Sequence, residues 1–382
     1  MHKYFLLILI FFNISISFGQ SSENILKLLV DKQVISQEEA ETLAKENKED
    51  EKAEEQQNEN ILKKIKTAFN SSDVFNLFGY GQALYQASDN KEINNEMKVN
   101  RIILFAVGNL NPQISYMVMY DFGPNAKMHE YYGEYTPTNA ISARFGQFKI
   151  PFTIENPMSP TRWEGIYGSL SVNALAGVAT DVIGPKAGRD MGLQLSGKLL
   201  QKKDFYQIEY AAGLFNGTGI NTSENNNHKD FVGTLTYQPI KGLKLAGSGY
   251  SGKAPYHLGQ DQIQDTYEIK NHVRNRWSAG GEYTDNQWYA RSEYLCGNDG
   301  GINRDGFYFV GMWKPLPDRL EIFGKYDYYN PDKDYKLNKM YEYTAGINYY
   351  FGHLSRIQLN YIRSDFNDKI NNMIATQLQL FF

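Results

Sequence analysis

Apolar and polar residues alternate along most of the chain, from about Val74 to its last residue. Successive side chains of a β-strand point to opposite faces, so a period of two predicts strands with one apolar and one polar face. Sixteen segments show this period, and most have about ten residues, the length that crosses a bilayer when tilted. They lie near residues 77–86, 97–108, 112–122, 127–137, 140–149, 191–200, 204–214, 230–238, 243–250, 275–284, 287–296, 306–314, 319–328, 341–350, 354–363 and 373–382. The pattern predicts an all-β fold for residues 71–382.

The connections between these segments alternate in length. Tight turns such as Thr138-Asn139 and Asp285-Asn286 are followed by longer polar stretches, with one exception at residues 123–126. The long connections are 87–96, 150–190, 215–229, 251–274, 297–305, 329–340 and 364–372. Short turns on one rim and long loops on the other are typical of a transmembrane antiparallel β-barrel. The sequence therefore predicts a barrel of about 16 strands in a Gram-negative outer membrane, with the N- and C-termini periplasmic.

The last predicted strand, MIATQLQLFF, separates its two faces clearly. Ile374, Leu378 and Phe382 fall on one face, while Gln377 and Gln379 fall on the other. In a barrel the apolar face would meet lipid and the glutamines would meet a watery lumen. We expect this strand to close the barrel by pairing with the first one.

The connection 150–190 is too long for an ordinary surface loop. Structureless loops of this size are usually functional. Its Ala-, Val- and Gly-containing part near residues 172–179 suits packing inside a lumen. We therefore expect this third long loop to fold inward and narrow the channel.

The residues before the barrel differ in composition. Residues 1–19 combine a short charged start, an apolar run and small residues before Gly19, which predicts a signal peptide. A membrane anchor is the alternative, but the run is short for a span. Residues 20–70 are rich in Glu, Lys and Gln, and Ser36 with Glu39 reads as a capping box. We expect a periplasmic helical, charged leader there and leave open whether it forms a coiled coil.

Composition and charge narrow the possible partners. The 382 residues carry a formal net charge of −4 and include 28 tyrosines, which suit a half-apolar, half-wet interface. The acidic excess lies in the leader, so the barrel region is nearly neutral and nucleic-acid binding is disfavoured. Cys296 is the single cysteine of the sequence, so no intrachain disulfide can form.

Strand parity predicts which charged side chains face the lumen. The apolar residues of each strand are assigned outward, which places Arg144, Lys198, Arg291 and Lys325 inward. A Lys or Arg on the lipid side at mid-membrane costs about 2–4 kcal/mol, which favours this assignment. Such charges would bias ion passage. The alternative is that they are solvated wall residues that make local pairs.

Candidate chemical sites are few. Asn298, Asp299, Asn303 and Asp305 offer closely spaced oxygen ligands, but the EF-hand spacing and its final Glu are absent. We expect no metal or other cofactor, and leave calcium binding by the 297–305 loop open. Six histidines are scattered singly and no Ser-His-Asp grouping stands out, so we expect a protein that is not an enzyme.

Several segments resemble one family. Residues 143–152 (ARFGQFKIPF) with Glu155-Asn156 resemble the strand that leads into the third loop of the phosphate-selective porin O and P family. Residues 188–195 (GRDMGLQL) are similar to the strand that leaves that loop, and residues 215–219 (FNGTG) to the next loop. Residues 29–43 resemble the helical leader of the Bacteroidetes-type members of this family.

This resemblance implies a sixteen-stranded, usually trimeric outer-membrane channel that passes small anions. By position it implies that Arg144, Lys149 and Arg189 flank the constriction and that Arg162 lies in the loop. The sequence departs from a simple anion filter, because four carboxylates accompany these cations: Glu155, Glu164, Asp181 and Asp190. An anion filter needs a surplus of positive charge along its pore, so the sequence leaves the anion or cation preference open.

The preferred hypothesis is a porin for passive diffusion of small hydrophilic solutes or ions, with anions such as phosphate among them. Its expected partners are outer-membrane lipid, the solutes and two further copies in a homotrimer. An outer-membrane enzyme would need a catalytic cluster that the sequence does not show. A structural or adhesion barrel that binds a partner through its extracellular loops is the remaining alternative.

Overall fold

The computed structural model describes residues 74–178, 181, 188–256, 270–335, 339–367 and 369–382. The chain divides into two units, Met1–Ser71 and Ser72–Phe382, and the described residues belong to the second. The predicted signal peptide and helical leader therefore lie outside the described residues. Among the residues described, no helix is long and apolar enough to cross a membrane.

The described part of the second unit forms a closed antiparallel barrel of sixteen strands, which confirms the predicted fold class. The strands are β1 (Asn76–Ser88), β2 (Glu96–Asn111), β3 (Ile114–Asp121), β4 (Lys127–Thr138), β5 (Ile141–Lys149), β6 (Arg189–Lys202), β7 (Phe205–Phe215), β8 (Asp230–Ile240), β9 (Leu243–Tyr256), β10 (Lys270–Thr284), β11 (Trp288–Asp299), β12 (Ile302–Leu316), β13 (Leu320–Asn330), β14 (Met340–Gly352), β15 (Ser355–Phe366) and β16 (Lys369–Phe381). Each strand pairs with its sequence neighbours. We call the end with the short connections the turn rim and the other end the loop rim.

β16 closes the barrel against β1, as the sequence predicts. The register places Tyr80 opposite Phe381 and Ser88 opposite Met373. Two further backbone hydrogen bonds join Gly79 to Phe382, at 2.8 and 2.9 Å. Leu378 and Phe382 are exposed on the outer face, whereas Gln377 and Gln379 are buried on the inner face.

The barrel wall is apolar outside and polar inside. Phe145 on β5 is 66% exposed on the outer face, and stacked or tilted aromatic pairs such as Trp288–Trp313 and Tyr326–Tyr343 lie on the same side. Lipid would cover these side chains. The inner face carries buried Arg, Gln, Asn and Glu side chains instead. The alternation in the sequence therefore follows the two surroundings of the wall.

Tight turns at the turn rim fix the register between strands. In the β10–β11 turn, the Asp285 carboxylate accepts hydrogen bonds from the backbone of Gln287 and Trp288, at 2.8 and 2.6 Å. Gly242 in the β8–β9 turn has φ +86°, and a Cβ there would lie 2.3 Å from the carbonyl oxygen of Thr284. This turn requires glycine because only glycine has no Cβ to clash.

The described residues of the connection between β5 and β6 lie within the barrel and contain the described helical segments. A 3-10 turn covers Pro160–Arg162, and a short helix α1 covers Leu170–Leu175. Phe152, Val172 and Leu175 from this loop are buried together with wall residues such as Phe215 and Tyr308. We call the described residues of this connection, 150–178, 181 and 188, the third loop.

Candidate functional site

The third loop lies against the inner wall of β9 to β16. Its backbone is held by wall side chains at successive points along its length. The N–H of Ile154 donates to Glu293 on β11 at 3.0 Å. Arg356 on β15 donates to the carbonyl of Trp163 at 2.9 Å, and Asn348 on β14 donates to that of Glu164 at 3.0 Å. The loop is thus fastened by its main chain to strands far away in the sequence.

Buried ion pairs fasten the first half of the loop. One guanidinium nitrogen of Arg291, on β11, lies 3.0 Å from Glu155 and 2.9 Å from Glu164. All three side chains are almost completely buried. Because unpaired buried charges are costly, the wall arginine and the two loop carboxylates hold each other in place.

A second ion network fastens the far end of the loop. Arg276 on β10 pairs with Asp181 of the loop at 2.8 Å and with Asp299 of β11 at 2.9 Å. Arg276 also donates to the carbonyl of Leu175, the last residue of α1, at 2.6 Å. The carboxylate of Asp181 therefore points at the wall and is fully buried.

Helix α1 rests on β12 and β13. The N–H of Leu170 donates to Asp327 at 3.2 Å, and Asp327 is also paired with Lys325 at 2.9 Å. On β12, a Cβ added at Gly306 would lie 2.3 Å from the Cβ of Ser171. The helix can approach the wall this closely because residue 306 has no side chain.

An open cavity of about 360 Å³ remains on the opposite side of the loop, against the inner faces of β1 to β6. The wall contributes Tyr80 of β1, Arg101 of β2, Asp121 of β3, Lys127 and His129 of β4, and Lys149 and Arg189 at the ends of β5 and β6. Residues of the third loop between Asn156 and Val178 line the opposite side of the cavity. We call this cavity the passage.

Positive charge dominates the described lining of the passage. Arg101, Lys127, Lys149 and Arg189 line it together with a single carboxylate, Asp121. Arg189 is paired with Glu130 at 3.0 Å, and Nε2 of His129 lies 3.7 Å from Asp121. The Nζ of Lys149 donates to the carbonyl of Met158 in the loop. The wall therefore offers several cations to whatever occupies the passage.

The four carboxylates that accompany the cations in the sequence do not line the passage. Glu155 and Glu164 are bound to Arg291, and Asp181 is bound to Arg276. Asp190 is 1% exposed and accepts hydrogen bonds from the backbone of Gly217 and Met191, at 2.5 and 2.8 Å. A count of charges along the sequence therefore misjudges the charge of the passage, because three of these acids are paired with arginines and Asp190 is bound by backbone N–H groups.

The predicted site residues lie in different surroundings. Lys149 and Arg189 line the passage. Arg144 lies nearer the turn rim on β5, where it is paired with Glu134 at 2.8 Å and its guanidinium is stacked 4.2 Å from the ring centre of Tyr132. Arg162 is exposed on the 3-10 turn, and Lys198 is exposed toward the turn rim of β6, both outside the described passage lining.

Arg291 and Lys325 face inward as the parity argument predicts, but the loop covers them. Arg291 is 1% exposed and Lys325 is 7% exposed. Lys325 also donates to the carbonyl of Tyr167 at 3.2 Å. Their assignment as pore-lining residues is therefore corrected, because they anchor the third loop instead of bordering water.

Sequence reasoning missed Arg101 and Lys127, and strand irregularities explain why. A register shift between Gln82 and Ala83 lets Lys98 and Arg101, which are three residues apart, both pair with inward-facing residues of β1. A second shift, between Met119 and Tyr120, displaces the start of β4. Simple alternation assigns the wrong face after such a bulge.

In the cluster considered for calcium, the oxygen ligands bind side chains of the protein. Asp299 accepts a hydrogen bond from Arg276 and forms an ion pair with Arg304 at 3.2 Å, whereas Asp305 pairs with Lys333 at 3.2 Å. Asn298 and Asn303 bond to each other at 2.8 Å. Across the described ranges, no group of three or more His, Cys, Asp or Glu side chains could hold a metal ion.

The family profile described as Phosphate-selective porin O and P matches residues 76–267 and 257–380, which together cover most of the chain. The chain belongs to this family. It is accordingly an outer-membrane porin, a channel for passive diffusion of small hydrophilic solutes or ions. A search of curated proteins finds no match.

Solved structures share the porin's fold. The in-vitro folded OmpT of Vibrio cholerae in its trimer form has a TM-score of 0.59 at 12% identity, covering 81% of this chain and 99% of that chain. Salmonella typhi OmpF in complex with daunomycin gives 0.58 at 13% identity, covering 80% and 97%. The outer membrane channel DcaP of Acinetobacter baumannii gives 0.53 at 14% identity, covering 81% and 97%. At these identities the likeness shows the fold alone.

Proposed function

We propose that this porin prefers anions, phosphate among them, and that they cross the barrel through the passage between the third loop and β1 to β6. The observation that carries the proposal is the separation of charge inside the barrel. Four cationic side chains and one carboxylate line the described passage. The loop acids are paired with arginines on the opposite wall.

This separation of charge allows the passage cations to attract an entering anion. A charge in a narrow, partly desolvated passage acts over a few ångströms with little screening. A buried carboxylate that is bound to an arginine contributes less field at a distance than a free one, because the arginine offsets part of its charge; Arg291 is shared in this way by Glu155 and Glu164. Among the passage cations, Arg189 is offset by Glu130. Arg101 and Lys127 therefore supply most of the positive potential that an entering anion meets.

We also propose a homotrimer in the outer membrane with both chain ends on the periplasmic side. Sixteen strands return the barrel ends to the same rim, and the short connections at that rim are typical of the periplasmic side. One of the structurally similar proteins is described in a trimer form. The passage, with its charged and water-accessible lining, favours a channel over a closed adhesion barrel.

Neutralising the passage cations tests the proposed preference. We expect Arg101→Gln combined with Lys127→Gln to lower the chloride-over-potassium permeability ratio by about twofold or more, because two uncompensated positive charges leave the passage. Reversal potentials in planar bilayers under a KCl gradient measure this ratio.

Lys241→Gln is the matched control. Lys241 is an exposed lysine paired with Asp204 at the turn rim, away from the passage lining. We expect this variant to keep the native ratio. An unchanged ratio in the double variant, or an equal fall in the control, would contradict the proposal.

A further inference from the structure

The two sides of the passage differ in chemistry. The wall side carries the four cations, whereas the described loop side carries no charged residue. The loop side presents Pro160, Trp163, Ile166 and Tyr167 together with a few polar groups. Tyr80 of β1 adds a third ring to this lining. A solute in the passage therefore meets cations on one side and rings and aliphatic carbons on the other.

The polar groups of the loop side are already bonded within the protein. The amide nitrogen of Asn156 donates to the carbonyls of Ile150 and Gly188, at 3.0 and 3.1 Å. The hydroxyl of Tyr167 donates to Gln86 at 2.9 Å, and the amide of Asn173 donates to Gly168 at 3.2 Å. The indole Nε1 of Trp163 has no partner among the described residues, but it is buried and therefore is not presented to the passage. The loop side thus leaves little hydrogen-bonding capacity for an anion.

This asymmetry selects between kinds of anion. An inorganic oxyanion has acceptor oxygens in all directions, and those facing the loop side would lose their water without gaining donors. An organic anion with one charged end would place that end against the wall cations. Its apolar part would then lie against the rings, where aromatic contacts are favourable. A cavity of about 360 Å³ has the size of a small-molecule site.

We propose that the passage favours small organic monoanions with an apolar or aromatic part, such as aromatic carboxylates, over inorganic phosphate. This inference rests on the proposed anion preference and names the class of solute that uses it. Phosphate and chloride pass as well, but without the contact to Tyr80 and Trp163. The two sides of the lining together act as the selectivity element.

Bi-ionic reversal potentials of the full chain in planar bilayers test the proposal. Potassium chloride is placed on one side, and potassium benzoate, acetate or phosphate on the other. We expect benzoate to be more permeant than both acetate and phosphate, although it is larger than acetate and diffuses more slowly. A benzoate permeability at or below that of acetate, or below that of phosphate, would overturn the proposal with the native protein alone.

Substitutions of the aromatic residues in the lining test whether they cause the preference for benzoate. We expect Tyr80→Gln and Trp163→Gln each to lower the benzoate-to-acetate permeability ratio by about threefold, a change typical of losing one aromatic contact. Phe78→Gln is the matched control, since Phe78 lies two residues from Tyr80 on β1 and does not line the passage. An equal fall in the control, or no fall in either passage variant, would refute the assignment.

The same recordings distinguish this proposal from the anion preference on which it rests. The chloride-over-potassium ratio of the native channel reports the anion preference, and the benzoate-to-acetate ratio reports the solute class. A channel that prefers anions but not benzoate would refute only the second proposal. A channel without anion preference would refute the first.

Discussion

Single charged residues act in this barrel according to their partners. Arg291 and Arg101 both face the lumen, yet Arg291 is covered by the third loop and bound to two carboxylates. Arg101 lines the passage beside Lys127. Because its charge is offset by two buried carboxylates, Arg291 adds no positive field to the passage and serves to attach the loop. Arg101 retains its field in the passage.

Removing the arginine that anchors the loop should change the channel. Arg291→Met leaves Glu155 and Glu164 buried without their partner, a loss that costs about 3–5 kcal/mol for a buried pair. We expect the loop to detach in part, so that single-channel conductance rises. The freed carboxylates should also lower the chloride-over-potassium ratio. Single-channel recording with reversal potentials measures both quantities.

Arg363→Met is the corresponding control, because Arg363 is an exposed arginine on β15. We expect its conductance and ion preference to match those of the native channel. If Arg291→Met also kept both native values, the loop would not depend on this ion pair.

Among the elements, helix α1 shows how closely the third loop fits the wall. Gly306 on β12 leaves room for Ser171, whose Cβ would be 2.3 Å from a Cβ at position 306. The helix is further held by Asp327 through the N–H of Leu170. Six residues would not form a stable helix alone, so this docking is what maintains it.

A side chain at position 306 should lift the helix from the wall. Gly306→Val introduces a clash with Ser171, and forced contacts of this kind cost about 1–3 kcal/mol. We expect a less stable loop and a larger, noisier single-channel current. Gly324→Val on β13 is the control, since a Cβ there meets no atom within 4 Å. Native current from Gly306→Val would show that α1 does not need this close approach.

The elements also show what the sequence can predict. Strand count, facing and closure follow from the period of two, which each strand obeys locally. The inward facing of Arg101 and Lys127 was not predicted, because register shifts in β1–β2 and β3–β4 break that period. The wall residues that bind the third loop were not predicted for another reason. Arg291 and Glu155 are 136 residues apart, so no local pattern records their contact.

For the whole molecule, the third loop divides the lumen into two regions. One region, toward β9 to β16, is filled with paired and buried charges. The other, along β1 to β6, holds the passage, whose described lining carries four basic side chains and one carboxylate. A protein with a formal net charge of −4 can therefore present a positive passage, because the distribution of charge decides its ion preference.

The reversal potential of the native channel under a KCl gradient measures the ion preference of the passage. We expect it to shift from zero toward the equilibrium potential of chloride, because anions cross the positive passage more easily than potassium. A reversal potential at zero, or one shifted toward the potassium equilibrium potential, would contradict the proposed anion preference.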